Sequence, residues 1–445
     1  MAELDDLCRA ALDAAEAGEQ VEVYAQEAKH TDVRARKGEV EALEFSGSRG
    51  LGVRVISDSR LGYAYVADPS LEEVVRAVAT ARENATFGTE DPVNGLAHHP
   101  ATAEPIPDIF RDALARATTQ DKVALALELE RLAVTSNARV KKVELASYGD
   151  AVSRLAIAST EGVSGTYERT DCWCVVDALA EDGETQSGFS FRLAHEPGDL
   201  ELQACAEEAA DRAARLLGAT KPKSAKVPIV LDPHAAASFL GVLAGALTAE
   251  AVQKGRSLFA ELVGQQVGSG ALSVIDDGRL LAGPGTAPFD DEGVPTRRTP
   301  LIEAGTLRGF LHNTYTARRG GTVSTANASR AGYRSTPGVA PSNLFIGAGD
   351  LAVERLLEQA EGGVFIQDVS GVHSGTNPIS GEFSVGATGL RISGGALGEP
   401  LREMTIASTI PEMLKAVVAC GDDLRFFSSV GCPTILIGEM TVAGV

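Results

Sequence analysis

The sequence predicts an α+β protein: a two-layer α/β N-terminal domain followed by a mainly antiparallel, β-barrel-like C-terminal domain. Two observations predict it. In the first half of the chain, a helix, a group of strands and a second helix occur in that order twice. In the second half, strands become short and glycine becomes dense, with eight glycines in residues 370–398 alone.

The first unit begins with a helix in residues 3–18, where Leu4, Leu7 and Ala11 recur at helical spacing. Strands follow, and residues 50–69 alternate in the manner of a hairpin that turns around residues 57–62. Ser70 lies three residues before Glu73, which is the capping-box spacing and predicts a helix from residue 71.

The second unit repeats this order without a detectable sequence repeat. It has a helix near 119–135, strands within 139–194 and a helix within 199–219. Residues 221–226 are short, polar and contain a proline, which predicts a linker between an N-terminal domain of residues 1–220 and a C-terminal domain of residues 227–445.

Charge and composition exclude several classes of function. The net charge is −21 and the pI is near 4.8, which argues against nucleic-acid binding because that function needs clustered Lys and Arg. The N-terminus is acidic from residue 3 and no apolar run is long enough to span a membrane, so we expect a cytoplasmic protein. Six cysteines without CxxC spacing are expected to be reduced thiols, with Cys172 and Cys174 facing the same way on a strand.

Local catalytic signatures are absent: the sequence has no GxGxxG, P-loop or GxSxG motif. His195-Glu196 imitates the start of a zinc helix, but Pro197 follows and no second His lies one turn on, which predicts a loop. His234 opens an apolar helix without a ligand one turn later, so we expect Asp232 or His234 to cap that helix.

Two acidic clusters, residues 276–277 and 290–292, could offer oxygen ligands to Mg²⁺ or Ca²⁺. Neither has EF-hand spacing, and adjacent carboxylates on a strand point to opposite faces. We therefore expect solvated turns, or ion pairs with Arg297 and Arg298.

The glycine-rich stretch contains four candidate peptide-binding residues: His373, Asn377, Glu382 and Ser384. Glycine allows close approach of another backbone, and an exposed strand edge at this place would accept an extended peptide. The alternative, which spacing alone favours, is a tight corner of a barrel.

Several stretches resemble the TldD/PmbA proteins, also called TldD/TldE. They include "GRSLFAELVGQQVGS", "DDEGVPTRRTPLIEAGTLRGFLHNTYTAR" and "GEFSVGATGLRISGGALGEPLREMTIA". The resemblance runs from about residue 20 to the C-terminus. It implies an α+β domain followed by a barrel-like domain, in a cytosolic zinc metallopeptidase of two related subunits that cuts unfolded or small peptides.

The zinc subunit of that family carries HExxxH on the first helix of its second domain and a Cys ligand in a later segment. Counting back from "GRSLF", the motif positions fall on Leu240, Gly241 and Gly245, and the Cys-bearing segment is missing near the C-terminus. Leu and Gly side chains hold no ligand atom. The pattern is therefore similar to the TldE (PmbA) subunit, with no catalytic or metal residue in this chain.

The leading hypothesis is a TldE-like subunit that has no cofactor of its own and forms part of a substrate channel. Zinc is expected in a TldD-like, HExxxH-bearing partner, and the ligands are unfolded or small peptides, with no nucleic acid and no membrane. Two alternatives remain open. One is a self-sufficient metallohydrolase that uses the acidic clusters with His312 or His373; the other is a homodimeric peptide-binding protein without protease activity.

Overall fold

The computed structural model describes residues 3–98 and 103–444. Within these residues, the first half of the chain contains five α-helices and six strands in two successive units. The first unit is α1 (Leu4–Asp13), β1 (Gln20–Arg36), β2 (Glu39–Ser57), β3 (Arg60–Ala67) and α2 (Leu71–Phe87). After the short α3 (Asp112–Ala115), the second unit is α4 (Thr119–Ser136), β4 (Val140–Ser159), β5 (Ser164–Glu181), β6 (Thr185–Ala194) and α5 (Leu202–Ala214).

The two units join through their first strands into one antiparallel sheet of order β3-β2-β1-β4-β5-β6. The central pair runs without a register shift from Glu22 opposite Ser159 to Ala35 opposite Ala146. Buried odd-numbered residues of β1, such as Val23 and Val33, belong to the two clusters that the helices cover. The predicted two-layer domain built from a repeated helix–strands–helix order is confirmed.

Local sequence signals fall where they were expected. The β2–β3 hairpin turns at Asp58 and Ser59, both in the left-handed region. Ser70 and Glu73 form the reciprocal capping box at the start of α2. These features depend on contacts within a few residues, which explains why the sequence reveals them.

The second half is a set of short strands around a closed barrel. Its helices are α6 (Pro233–Ala246), α7 (Ala249–Gln253), α8 (Thr314–Arg319), α9 (Val353–Gln359), α10 (Val372–Gly375) and α11 (Ile410–Lys415). Its longer strands are β7 (Ala225–Leu231), β8 (Val274–Asp277), β9 (Arg298–Glu303), β14 (Val364–Ser370), β15 (Glu382–Ser393), β16 (Ala396–Thr409), β17 (Val417–Cys420) and β20 (Ile435–Ala443). The described residues also form six strands of two or three residues: β10 (Thr306–Leu307), β11 (Ala328–Ser329), β12 (Gly338–Val339), β13 (Leu344–Ile346), β18 (Arg425–Phe426) and β19 (Val430–Cys432).

The barrel closes because β16 pairs with both β15 and β20, completing the cycle β16-β15-β14-β7-β20. Glycines in this region allow the close approach that closure needs. A Cβ on Gly389 would lie 1.9 Å from the carbonyl oxygen of Phe365 on the neighbouring strand. Helix α6 packs against this barrel, and its side chains Phe239 and Leu243 belong to the barrel's hydrophobic core. The predicted barrel-like fold of the second half is confirmed.

The face of the large sheet opposite its helices packs against the second half. Tyr24 and Ile157 meet Phe289 and Tyr333 in one buried cluster. The expectation that residues 290–292 form a solvated turn, or else ion pairs with Arg297 and Arg298, is wrong. Asp290 and Glu292 are buried at this contact: Asp290 accepts from backbone N–H groups, and Glu292 pairs with Arg54 of the other half.

Asp276 is also buried rather than solvated. It accepts hydrogen bonds from Asn327 Nδ2 at 2.6 Å and from the Ser342 N–H at 2.8 Å. Burial nevertheless raises its pKa to about 6. Asp277 lies on the opposite face of β8 and is less buried, as the alternation of a strand requires.

A second contact between the halves is an ion-pair cluster around Glu208 of α5. Arg425 holds both its carboxylate oxygens, at 2.7 and 2.9 Å. Arg192 and Ser190 donate to the same carboxylate at 2.8 Å each. Burial opposes ionisation, but the arginines outweigh it and lower the pKa of Glu208 to about 2.

Glu208→Gln is expected to remove a pH-dependent part of the stability. The pKa of Glu208 is lowered in the folded state, so its contribution is present above the unfolded value of 4.5 and is lost as the pH falls toward 2. The shift corresponds to about 3 kcal/mol at pH 7. Urea unfolding at pH 7, 5 and 3 should show a gap between wild type and variant that narrows with falling pH. Glu128→Gln, at an exposed pair, is the control; a gap independent of pH would contradict the assignment.

All six cysteines are buried free thiols, and Cys172 and Cys174 face the same way on β5, as predicted. Among the helices of residues 3–98 and 103–444, none combines the length and apolarity that crossing a membrane requires.

Candidate functional site

Helix α6 contains the positions at which, according to the family resemblance, a zinc subunit would carry HExxxH. Asp232 caps it by accepting from the His234 N–H at 3.0 Å, and Pro233 takes the first helical position. The predicted cap is therefore Asp232. The helix then buries an apolar side against the barrel through residues such as Phe239 and Leu243.

The three motif positions do not share one environment. The Leu240 side chain is fully buried in the core, at 0% exposure. Gly241 and Gly245, one turn apart, lie on the exposed side of the helix, and a Cβ at either position would meet no atom within 4 Å. Helix α6 therefore presents an open, bare face, and its residues there hold no metal-ligating atom.

The His234 ring lies beside this helix start, between two aromatic side chains. Its centroid is 5.0 Å from that of Phe189 and 5.1 Å from that of Phe427. Its Nδ1 lies 3.6 Å from a carboxylate oxygen of Asp368. The ring packs between the two halves of the chain, which fits the structural role that the sequence predicted for this helix start.

Among the remaining histidines that the sequence singled out, His195 has an acidic neighbour: its Nδ1 lies 3.3 Å from a carboxylate oxygen of Asp171. Within the described part of the chain, no group of three or more His, Cys, Asp and Glu side chains is arranged to hold a metal ion. His195 lies in a loop, as expected, where its Nδ1 contacts the Thr170 carbonyl oxygen at 2.8 Å. In the described residues, the acidic clusters are not grouped with His312 or His373 in an arrangement that could hold a metal ion.

The four candidate peptide-binding residues lie together around the start of β15. All four are exposed, and Glu382 and Ser384 alternate with buried Phe383 on the outer face of the strand. Asn377 turns the preceding loop, since its Oδ1 accepts from the Ile379 and Ser380 N–H groups.

The strand edge that would accept a peptide here is short. β15 lies between β14 and β16, and β14 pairs with it as far as Gly386. Beyond that point, Thr376 forms a single bridge to Phe383. The role of these residues in peptide binding remains a prediction.

Sequence reasoning missed a buried network of four charged residues that joins the two halves. Arg54 donates to both oxygens of Glu22, from Nε at 2.8 Å and from Nη2 at 2.5 Å, and its Nη2 also lies 3.1 Å from Glu292 Oε1. Arg330 pairs with Glu22 as well. Each of these side chains is at most 8% exposed. Burial would raise the pKa of Glu22, but the two arginines lower it below its ordinary value.

Arg54 and Glu292 of this network line a cavity of about 490 Å³ between the two halves, which we call the interdomain cavity. Strands β2 and β3, helices α7 and α8 and the loops near residues 91 and 337 enclose it. The clue in the sequence was the segment "DDEG" at residues 290–293, which supplies Glu292. Its partner Arg54 is 238 positions away, so no local pattern links the two.

Comparison with protein-family models gives a consistent match along the chain. Residues 21–85 match domain 1 of the PmbA/TldA metallopeptidases, residues 112–217 match their central domain, and residues 224–444 match their C-terminal domain.

Individual relatives match over nearly their whole length. The chain is 27% identical over 429 residues to the metalloprotease PmbA of Escherichia coli O157:H7, covering 95% of this chain and 92% of that protein. The PmbA homolog of Haemophilus influenzae is 26% identical, with 97% and 94% covered. A crystal structure of a Thermotoga maritima protein superposes with a TM-score of 0.92 at 26% identity, covering 99% and 100%. TldE from Thermococcus kodakarensis has the same fold, with a TM-score of 0.91 at 21% identity and 100% of both chains covered. The chain belongs to the PmbA/TldD metallopeptidase family.

Proposed function

We propose that this chain is the non-zinc, TldE-like subunit of a two-subunit cytoplasmic zinc metallopeptidase that cleaves unfolded or small peptides. Its role is to form part of the substrate channel beside a TldD-like partner that carries HExxxH. The observation that carries the proposal is the open face of α6, where the motif positions of a metallopeptidase relative are the buried Leu240 and the bare Gly241 and Gly245. Six buried free thiols fit a reducing compartment.

A bare helix face has a use in a shared channel. Gly241 and Gly245 leave room beside the helix, so an extended peptide would pass close to the backbone of this subunit while the partner supplies the metal. The outer face at Glu382 and Ser384 would offer further polar contacts to such a peptide. Recognition through backbone hydrogen bonds carries little sequence preference, which suits a peptidase for unfolded substrates.

The free edge of β2 supports association with another chain. Among the strands of the described residues, β1 alone pairs with residues 39–49, because β3 begins its pairing at Gly50. On this segment Val40, Leu43 and Phe45 are exposed, the last at 60%. An unpaired edge with apolar side chains is a place where a second chain adds a strand. Glu39, Glu41 and Glu44 on the same segment favour a partner that differs from this acidic chain over a second copy of it.

The test is purification of the tagged chain from its native cell, followed by zinc analysis and cleavage of an unfolded protein such as reduced casein. We expect an HExxxH-bearing relative to co-purify with one zinc per pair, and chelator-sensitive cleavage only when both chains are present. Firmly bound zinc with turnover in the isolated chain would contradict the proposal. Self-association without such a relative would favour the homodimeric alternative.

Phe45→Lys is expected to weaken association with the partner at least tenfold, because it places a charge on the apolar edge without disturbing a buried contact. The affinity is measured by surface plasmon resonance against the purified partner. Phe87→Lys, at a residue 83% exposed at the end of α2, is the matched control. Equal effects of both changes, or none from Phe45→Lys, would exclude the β2 edge as the contact.

A further inference from the structure

The lining of the interdomain cavity has partnered carboxylate acceptors but unpartnered guanidinium donors among the described residues. Its carboxylates already have donors within the protein. Both oxygens of Glu292 accept, from Arg54 Nη2 at 3.1 Å and from the Thr314 N–H at 2.8 Å. Asp91 accepts from the Val93 N–H and from the Tyr315 hydroxyl, at 2.9 Å each. Glu250, the third carboxylate of the lining, pairs with Lys254, so each carboxylate on the wall has a partner.

The guanidinium groups on the wall have N–H groups that are not donated to a protein acceptor within the described residues. Arg54 uses Nε and Nη2 in the network, while its Nη1 donates to no acceptor in residues 3–98 and 103–444. Its side chain is 8% exposed, so bulk water reaches it little. Arg319, an exposed residue of the same lining, donates to the Tyr315 hydroxyl at 3.1 Å and forms no ion pair within 4 Å among the described residues. A ligand that fills this cavity meets spare donors, which match a carboxylate.

The rest of the lining fits amide and small apolar groups. Asn94 and Gln253 contribute side-chain amides, and Ile56, Leu61 and Pro337 contribute apolar surface. The volume of about 490 Å³ lies within the range that holds small ligands. A free carboxylate attached to an amide and an apolar side chain is the C-terminal end of a peptide.

We propose that the interdomain cavity binds the C-terminal carboxylate of a short peptide between Arg54 and Arg319. The choice of a peptide over other carboxylates rests on the proposed function, whereas the choice of a carboxylate rests on the spare donors alone. A subunit with such a site would retain a peptide end or a cleavage product away from the zinc of its partner.

The experiment is calorimetric titration of the isolated full-length chain with N-acetyl-Ala-Leu and with the same dipeptide as its C-terminal amide. We expect the free acid to bind at least tenfold more tightly than the amide, because only the acid accepts charge-assisted hydrogen bonds from two guanidinium groups. Equal binding of acid and amide, or binding of neither at millimolar concentration, would overturn the proposal. Acetate as effective as the dipeptide acid would overturn the assignment to a peptide.

Arg319→Gln tests the geometry without touching the buried network, and it should weaken binding of the free acid about tenfold while leaving the amide unchanged. Arg308→Gln, at an exposed arginine paired with Glu303 elsewhere in the same half, is the matched control and should bind as the wild type does. Loss of binding in both variants, or in neither, would contradict the site. Because the titration needs no partner and no turnover, its failure is distinguishable from failure of the proposed function.

Discussion

Arg54→Met is expected to lower the free energy of unfolding by about 3–5 kcal/mol, since removing one partner of a buried ion pair leaves uncompensated charge. In this protein the charge left behind is on Glu292, which is 1% exposed and keeps no arginine partner among the described residues, and on Glu22, which retains Arg330. Urea denaturation at pH 7, followed by far-ultraviolet circular dichroism, measures the loss. Because the network joins the two halves, separate unfolding of one half at a lower urea concentration would also show that the network couples them.

The control for Arg54→Met is Arg131→Met, at an arginine 57% exposed on α4 whose partner is Glu128. It should cost less than about 1 kcal/mol, because water solvates an exposed carboxylate that loses its partner. The double variant Arg54→Met/Glu292→Gln should recover part of the loss by removing one stranded charge. Similar losses for the Arg54 and Arg131 variants would show that the network contributes little.

Leu240→Ala should cost about 2–5 kcal/mol, the range found when a large aliphatic side chain is removed from a packed core. Leu240 is at 0% exposure among the residues that α6 shares with the barrel. The measurement is again urea unfolding of the purified chain. The expected size of the loss follows from the side chain pointing into the core, not toward the open face of the helix.

The matched controls are Gly241→Ala and Gly245→Ala on the same helix. Neither Cβ would meet an atom within 4 Å, and Ala is about 0.5–1 kcal/mol better than Gly within a helix, so both variants should be as stable as the wild type or more stable. A loss at either glycine comparable with that of Leu240→Ala would mean that the helix face is covered in solution. The pair of outcomes therefore tests the open face on which the proposed function rests.

Features that depend on near neighbours in the chain were readable from the sequence. The capping box at Ser70, the cap at Asp232 and the hairpin after Ser57 all use contacts spanning a few residues. The repeated helix–strands–helix order and the glycine-rich second half predicted the α+β class for the same reason: periodicity and backbone freedom are local properties.

Burial of charge was not readable. Asp290 and Glu292 looked like a solvated turn because adjacent carboxylates usually are. Their donors come from distant positions such as Arg54, and only packing of the large sheet on the second half brings these groups together. Likewise, the free edge at Glu382 and Ser384 is short, since β14 pairs with β15 as far as Gly386.

The sequence by itself determined which side chains α6 carries, and hence that Leu240, Gly241 and Gly245 hold no metal-ligating atom. Only the tertiary structure decided which of these positions is buried and which face is open, and that the spare donors of Arg54 and Arg319 line one cavity. The physical reason is that residue identity fixes chemistry locally, whereas exposure, pairing and pKa depend on groups that approach only when the chain folds.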